Sequence, residues 1–186
     1  MIEDESVLEI PLPPNKITVY LLYYNKPHGI RLTGARFVSN ISWPLNILVH
    51  NAAHEMLHPS YDLKKDRELR EALALFKRDK FLMEKMTQHN RSFGYNSLES
   101  YVEEDCVRAL DQLAMERLHL ARDPHLRWRE EDEGMHVFAA ALYRLMKEER
   151  FPTSQESFRD FLFRAVRSGK LAPGRIQALY EEFYRP

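Results

Sequence analysis

Residues 50–59 read HNAAHEMLHP, and within them His54-Glu55-Met56-Leu57-His58 spells an H-E-x-x-H string. Residues four apart on an α-helix lie on one face, about one turn apart. His54 and His58 can therefore turn two imidazoles toward one ion. That geometry suits Zn²⁺, which accepts neutral imidazole nitrogen at roughly 2.0–2.1 Å. Glu55 projects about 100° further round the helix. It is expected beside the ion rather than on it, where a general base for an activated water belongs.

The string needs a helix, and its neighbours supply one. Ser42 is the expected N-cap, with Pro44 in the first turn, where a missing N–H costs little. Leu45, Leu48, Val49, Ala52, Ala53, Met56 and Leu57 form an apolar stripe for burial. Pro59 is expected to stop the helix just after the second histidine.

Upstream, residues 1–15 carry Pro11, Pro13 and Pro14 and read as an extended lead-in. Residues 16–24 (KITVYLLYY) and 30–39 (IRLTGARFVS) are rich in β-branched and aromatic residues and read as strands, with a bulge at Gly34. The five-residue connection between them predicts an antiparallel hairpin. An exposed edge over residues 30–38, beside a metal site, would hold an extended peptide as an added strand; a purely structural hairpin is the alternative.

Downstream, amphipathic patterns predict helices over residues 63–78, 80–89, 98–121 and 124–149, the last weakened at Gly134. Residues 89–97 read as a loop. Thr153 with Glu156 resembles a capping box for a helix over 154–168 closed by Gly169, and Pro173 opens a last helix to Tyr184. Phe158, Phe161, Phe163, Tyr180 and Phe183 follow helical spacing and read as core. The sum is a mostly helical α+β fold in a single domain over residues 1–186. Residues 1–59 would give the hairpin and the motif helix, and residues 60–186 the helical remainder.

The 186 residues suffice for a sizeable core, and 44% hydrophobic with 30% charged residues indicates a folded rather than a disordered chain. A net charge of −1 argues against a general nucleic-acid or anionic-membrane binder. With Cys106 as the only cysteine, neither an internal disulfide nor a cysteine zinc site is available. No apolar run reaches the roughly 18 residues of a membrane span. The acidic start (Glu3, Asp4, Glu5) differs from the basic start of a signal peptide. Cytoplasmic residence and export with removal of a leader both fit.

Two histidines leave a catalytic zinc one protein ligand short. The extended H-E-x-x-H-x-x-G-x-x-H pattern fails, because Tyr61 and Lys64 occupy the relevant positions. A later segment, Tyr101-Val102-Glu103-Glu104-Asp105, resembles the glutamate helix of gluzincins, the thermolysin-like and aminopeptidase-like zinc peptidases. The resemblance covers this helix, the motif helix and the preceding strand. An aromatic residue often stands three places before the ligand glutamate in that group. Aligning it with Tyr101 implies Glu104 as third ligand. Amphipathicity places Glu103 within the apolar face and Glu104 at its border, so both stay candidates. Thermolysin-type members carry an acid four residues after the ligand. Here Arg108 follows Glu104 and Val107 follows Glu103 at that distance, which turns attention to Asp111 or Asp105 as the acid supporting the site.

The resemblance implies a zincin-like fold and a zinc metallopeptidase acting on a peptide or protein. Zn²⁺ would polarise the scissile carbonyl and acidify a water, and Glu55 would pass that water's proton to the leaving amine. An oxyanion donor is also needed, with His136 in EGMHVFAAALY the residue to test and Tyr95 and Tyr101 as alternatives; Tyr61 is weaker. His50, one turn before His54, is expected to be partly buried and hydrogen-bonded or to support the site, and His28, His89, His119 and His125 to lie at the surface. A zincin-like module that binds peptide or protein without cutting it is the reading from a different class, and zinc-dependent hydrolysis of a non-peptide bond is another.

Overall fold

A computed structural model describes residues 17–23, 30–32, 36–58, 65–152 and 156–185. The lead-in over residues 1–15, His28, Gly34, Pro59, Tyr61, Lys64 and Thr153 lie outside them. The fold is α+β and mostly helical, with a small N-terminal sheet, as the sequence leads one to expect.

The sheet is not the expected hairpin. Strand β1 (Thr18–Leu22) runs parallel to β3 (Arg36–Asn40), with Thr18 opposite Arg36 and Leu22 opposite Asn40. The short β2 (Ile30–Arg31) pairs antiparallel with the other side of β3, giving the order β1-β3-β2. The chain reverses between Leu32 and Arg36, where the Leu32 amide donates to the Arg36 carbonyl at 2.9 Å. The expected strand over 30–39 is therefore two strands. Period-2 patterning tells which side chains share a face, not which strand is the neighbour. As the middle strand, β3 offers no free edge at residues 36–38, and of the expected peptide edge over 30–38 only the short β2 (Ile30–Arg31) lies at an edge of the sheet.

Helix α1 (Leu45–Leu57) follows β3 directly. Its N-cap is Pro44, not Ser42. Asn40 Oδ1 takes both the amide and the hydroxyl of Ser42, at 2.8 and 2.6 Å, so the serine closes the strand exit instead. The apolar stripe of α1 is only partly covered, and Leu45 is 75% exposed. The one fully enclosed residue of this helix is Glu55, at 6% exposure. Burying a carboxylate in preference to the leucines around it costs free energy, so the position asks for a functional or paired reason.

The remaining helices are α2 (Arg67–Leu73, tightening into a 3₁₀ turn over Ala74–Arg78), α3 (Lys80–Gln88), α4 (Leu98–Arg117), α5 (Pro124–Glu130), α6 (Val137–Glu148), α7 (Phe158–Arg167) and α8 (Arg175–Phe183). Side chains of Asp66, Asp79, Ser97, Asp123 and Ser157 cap α2, α3, α4, α5 and α7, each accepting from a first-turn amide. Asp79 also accepts from the Gly174 amide at 2.8 Å, tying α3 to the start of α8.

The single helix expected over 124–149 is broken. Asp132, Glu133 and Gly134 take left-handed backbone angles (φ 46°, 59° and 73°), in a 3₁₀ turn over Glu131–Gly134. A Cβ at Gly134 would come within 3.3 Å of the Arg129 carbonyl, so that position requires glycine. The break makes His136 the N-cap residue of α6 rather than a helix-interior histidine.

The core lies between α4 and α6, with α7 and α8 closing it. Tyr101, Cys106 and Ala109 of α4 meet the apolar run Val137–Leu142 of α6 and Phe158, Phe161, Ile176, Leu179 and Phe183. Phe163 and Tyr180 pack at its margin. No helix among the described residues is long and apolar enough to cross a membrane.

Candidate metal centre

Helices α1 and α4 face each other in antiparallel fashion, and their facing side chains form a ladder. His50 Nε2 and His54 Nδ1 lie 3.3 and 2.8 Å from Asp111 Oδ2. His54 Nε2 lies 3.5 Å from Glu104 Oε1. His58 Nε2 lies 3.9 Å from Glu104 Oε2, and His58 Nδ1 lies 3.9 Å from Glu103 Oε1. Advancing along α1 from 50 to 58 thus runs back along α4 from 111 to 103. The rise of an α-helix, 1.5 Å per residue, spaces the rungs on both sides alike.

Within this ladder His54, His58 and Glu104 can each offer one ligand atom, and the three atoms lie within 4.8 Å of one another. Tetrahedral zinc with bonds of roughly 2.0–2.1 Å separates its ligand atoms by about 3.3 Å. His54 Nε2 lies 3.5 Å from Glu104 Oε1 and His58 Nε2 lies 3.9 Å from Glu104 Oε2, so each imidazole is near that spacing from a different oxygen of the one carboxylate. The two imidazole rings stand edge to face with centroids 5.0 Å apart, so their planes do not compete for one direction. Two imidazoles and a carboxylate are a donor set that fits a borderline divalent ion such as Zn²⁺.

Glu104 is buried at 3% exposure, whereas the Glu103 side chain is 42% exposed. This reverses the amphipathic reading of α4, which put Glu103 on the apolar face. Glu104, Asp105 and Asp111 are all buried on this helix, Glu104 on Arg108 of the same helix, Asp105 on His136 and Asp111 on Arg127. Glu104→Ala is expected to weaken zinc binding strongly and Glu103→Ala much less, measured by chelator competition. The opposite order would move the ligand role to Glu103.

Asp111, one of the two acids considered for supporting the site, accepts from His54 Nδ1, leaving Nε2 toward Glu104. Arg127, fully buried on α5, grips Asp111 with Nη1 and Nη2 at 2.5 and 3.1 Å. Arg108 Nε donates to Glu104 Oε1 at 2.8 Å. Both arginines escaped the sequence reading. The spacing of Glu104 and Arg108, four apart on one helix, was the available signal for one. Nothing local marks Arg127, whose role depends on where α5 packs.

Asp105, the other acid considered, serves a different group. It accepts from His136 Nδ1 at 2.6 Å and from the Ala139 amide at 3.0 Å. His136 Nε2 meets Asp132 Oδ2 at 2.8 Å. With both ring nitrogens held by carboxylates inside the protein, His136 has no free donor to aim at an oxyanion, and the expected catalytic role for it is not matched by its position. Burial and Arg108 oppose its protonation, but Asp105 and Asp132 outweigh them and raise its pKa. Asp105→Ala would leave the His136 and Ala139 donors unpaired in the core. A loss of about 3–5 kcal/mol in urea unfolding is expected.

Tyr101 donates to the Met135 carbonyl and is likewise committed. Tyr95 is different. Its backbone is left-handed (φ 58°), directly after Gly94 at φ 88°, and its ring meets His136 at 6.0 Å between centroids. Burial, and then the Glu104 charge, push its hydroxyl well above the ordinary tyrosine range, with Arg108 opposing. His89, expected at the surface, is instead buried and bridges the carbonyls of Met86 and Gly94 at the base of this loop. His119 and His125 are exposed, as expected.

Burial alone would lower the His54 pKa, but hydrogen bonds to Asp111 and Glu104, and their charges, raise it from 6.5 to about 9 in the metal-free protein. Its pairing therefore contributes stability fully below its unfolded value and is lost as pH rises through about 9. Burial opposes the charged forms of Glu104 and Asp111, yet their partners hold both below the ordinary carboxylate values of 4.5 and 3.8. Their contribution is present above those values and is lost as pH falls. Thermal melts in excess chelator are expected to peak between about pH 5 and 6.5 and to decline toward pH 9.5. A melting temperature that rises across that alkaline range would contradict the pairing.

No family model, curated protein or solved structure matches the chain.

Proposed function

We propose that the chain is a zinc-dependent hydrolase, most naturally a metallopeptidase resembling the gluzincins, acting on a peptide or protein. The observation that carries this reading is the convergence of His54, His58 and Glu104, with Glu55 enclosed next to His54 on the same helix. A bound Zn²⁺ would supply Lewis acidity and lower the pKa of a water. Glu55 would accept that water's proton and return it to the leaving amine. Asp111 holds the His54 ring so that Nε2 faces the centre, and Arg108 holds one oxygen of Glu104 so that the other is free to bind. Tyr95 replaces His136 as the donor for developing negative charge on the substrate oxygen.

The test is elemental analysis of protein reconstituted with zinc, followed by incubation with a broad peptide library and mass-spectrometric detection of new termini. About one zinc per chain with chelator-sensitive cleavage supports the reading. The absence of both metal and cleavage overturns it.

One observation favours the alternative, a non-catalytic module that binds peptide or protein. Strand β1 is an edge of the sheet, and its Val19, Tyr20, Leu21 and Leu22 are exposed without a charged residue among them. Peptide capture with one zinc bound and no cleavage would select that reading.

A further inference from the structure

Outside the ligand set, the densest charged cluster sits where α5 gives way to the 3₁₀ turn. Arg108 and Arg127 each hold one of the two carboxylates that serve the candidate centre, Glu104 and Asp111. Both arginines converge on one further residue. Glu131 accepts from Arg108 Nη1 at 2.6 Å through Oε2, and from Arg127 Nε at 3.2 and 3.1 Å through both oxygens. Arg127 is buried and Arg108 largely so, and like charges repel strongly where water is excluded. A carboxylate between them cancels that repulsion and fixes their separation. Through them it fixes how far Asp111 reaches toward His54 Nδ1 and where Glu104 Oε2 points.

We propose that Glu131 is a positioning residue of the metal centre: by joining Arg108 to Arg127 it holds Glu104 and Asp111 as a matched pair, and so sets metal affinity without touching the ion. This rests on the metal-centre reading above. The turn that carries Glu131 is built for such a post. Its next residue, Asp132, takes a left-handed backbone and binds Arg108 Nη2 at 3.0 Å and His136 Nε2 at 2.8 Å. Strained backbone is retained where the surroundings over-determine it. On the solvent side Arg122 Nη1 reaches Glu131 Oε1 at 3.2 Å, and Arg122 also pairs with Glu130.

The experiment measures Zn²⁺ affinity by competition with a chromophoric chelator for the parent, Glu131→Gln, Glu131→Asp and Glu130→Gln. The visible spectrum of each Co²⁺-loaded protein is recorded alongside. Gln removes the charge, and Asp keeps it but cannot span both arginines. Both are expected to bind Zn²⁺ about 10–100-fold more weakly, the range for residues that orient ligands. Their Co²⁺ bands are expected to shift as the carboxylate ligand moves. Glu130→Gln, at a side chain that pairs with Arg122 on the solvent side, is expected to match the parent. A merely structural Glu131 would lower the melting temperature and leave affinity and spectrum unchanged; folded variants within about twofold of the parent would overturn the proposal. So would loss of folding in both variants, which would make the post structural. A parent that binds no zinc is a separate failure, visible before any variant is compared, and removes the centre itself.

Discussion

His58→Ala protein is expected to leave zinc reconstitution essentially metal-free, against about one zinc per chain for the parent. His54→Ala is expected to do the same at a greater cost in stability. The two histidines differ in what else they hold. His54 is bound to Asp111 on one side and faces Glu104 on the other, so its loss removes a cross-link between α1 and α4. His58 stands at the C-terminal end of α1 with its side chain 26% exposed, and its carboxylate neighbours are no closer than 3.9 Å. Little of the fold depends on it. A site reduced to one histidine and one carboxylate should lose well over the 10–100-fold typical of an orienting residue. Elemental analysis of folded His58→Ala protein is therefore the cleaner measurement. Full zinc occupancy in that variant would place the ion elsewhere.

The features that could be read from sequence were local ones. The helical fate of residues 45–57 follows from Pro44 and a continuous run without internal Gly or Pro. The four-residue spacing then puts His54 and His58 on one face whatever surrounds them. What failed was decided at a distance. Ser42 lost its capping role to a competing side chain, Asn40. The break after Glu130 comes from Asp132 and Glu133 adopting left-handed angles that their identities do not announce, with Asp132 tied to Arg108 and His136 from other elements. Pairing of β1 with β3 rather than with its sequence neighbour is a choice among strands, to which alternation is blind. Glu104 was ambiguous for the same reason. Hydrophobic patterning cannot say which carboxylate finds a buried partner, and α4 buries Asp105 on His136, Asp111 on Arg127 and His54, and Glu104 beside His54, all brought from other elements.

Glu55→Gln is the substitution that separates an enzyme from a binder. Glu55 is enclosed at 6% exposure, yet it is not one of the three side chains whose donor atoms converge. Gln preserves its shape and volume and removes only the basic carboxylate. Zinc content should stay at the parent value, because the two histidines and Glu104 are untouched. Melting temperature should change little or rise, since a buried neutral amide avoids the desolvation that a buried carboxylate carries. Hydrolysis should fall by the roughly 10²–10⁴-fold assigned to a general base, equivalent to about 2.7–5.5 kcal/mol in the barrier. A loss confined to the apparent affinity for peptide, with the turnover rate intact, would mean that Glu55 shapes the binding surface instead of moving a proton. Equal cleavage by parent and variant across a broad peptide library would remove Glu55 from the chemistry. Equal capture of peptide by both, with no new termini from either, would leave binding as the function that α1 and its neighbouring strands perform.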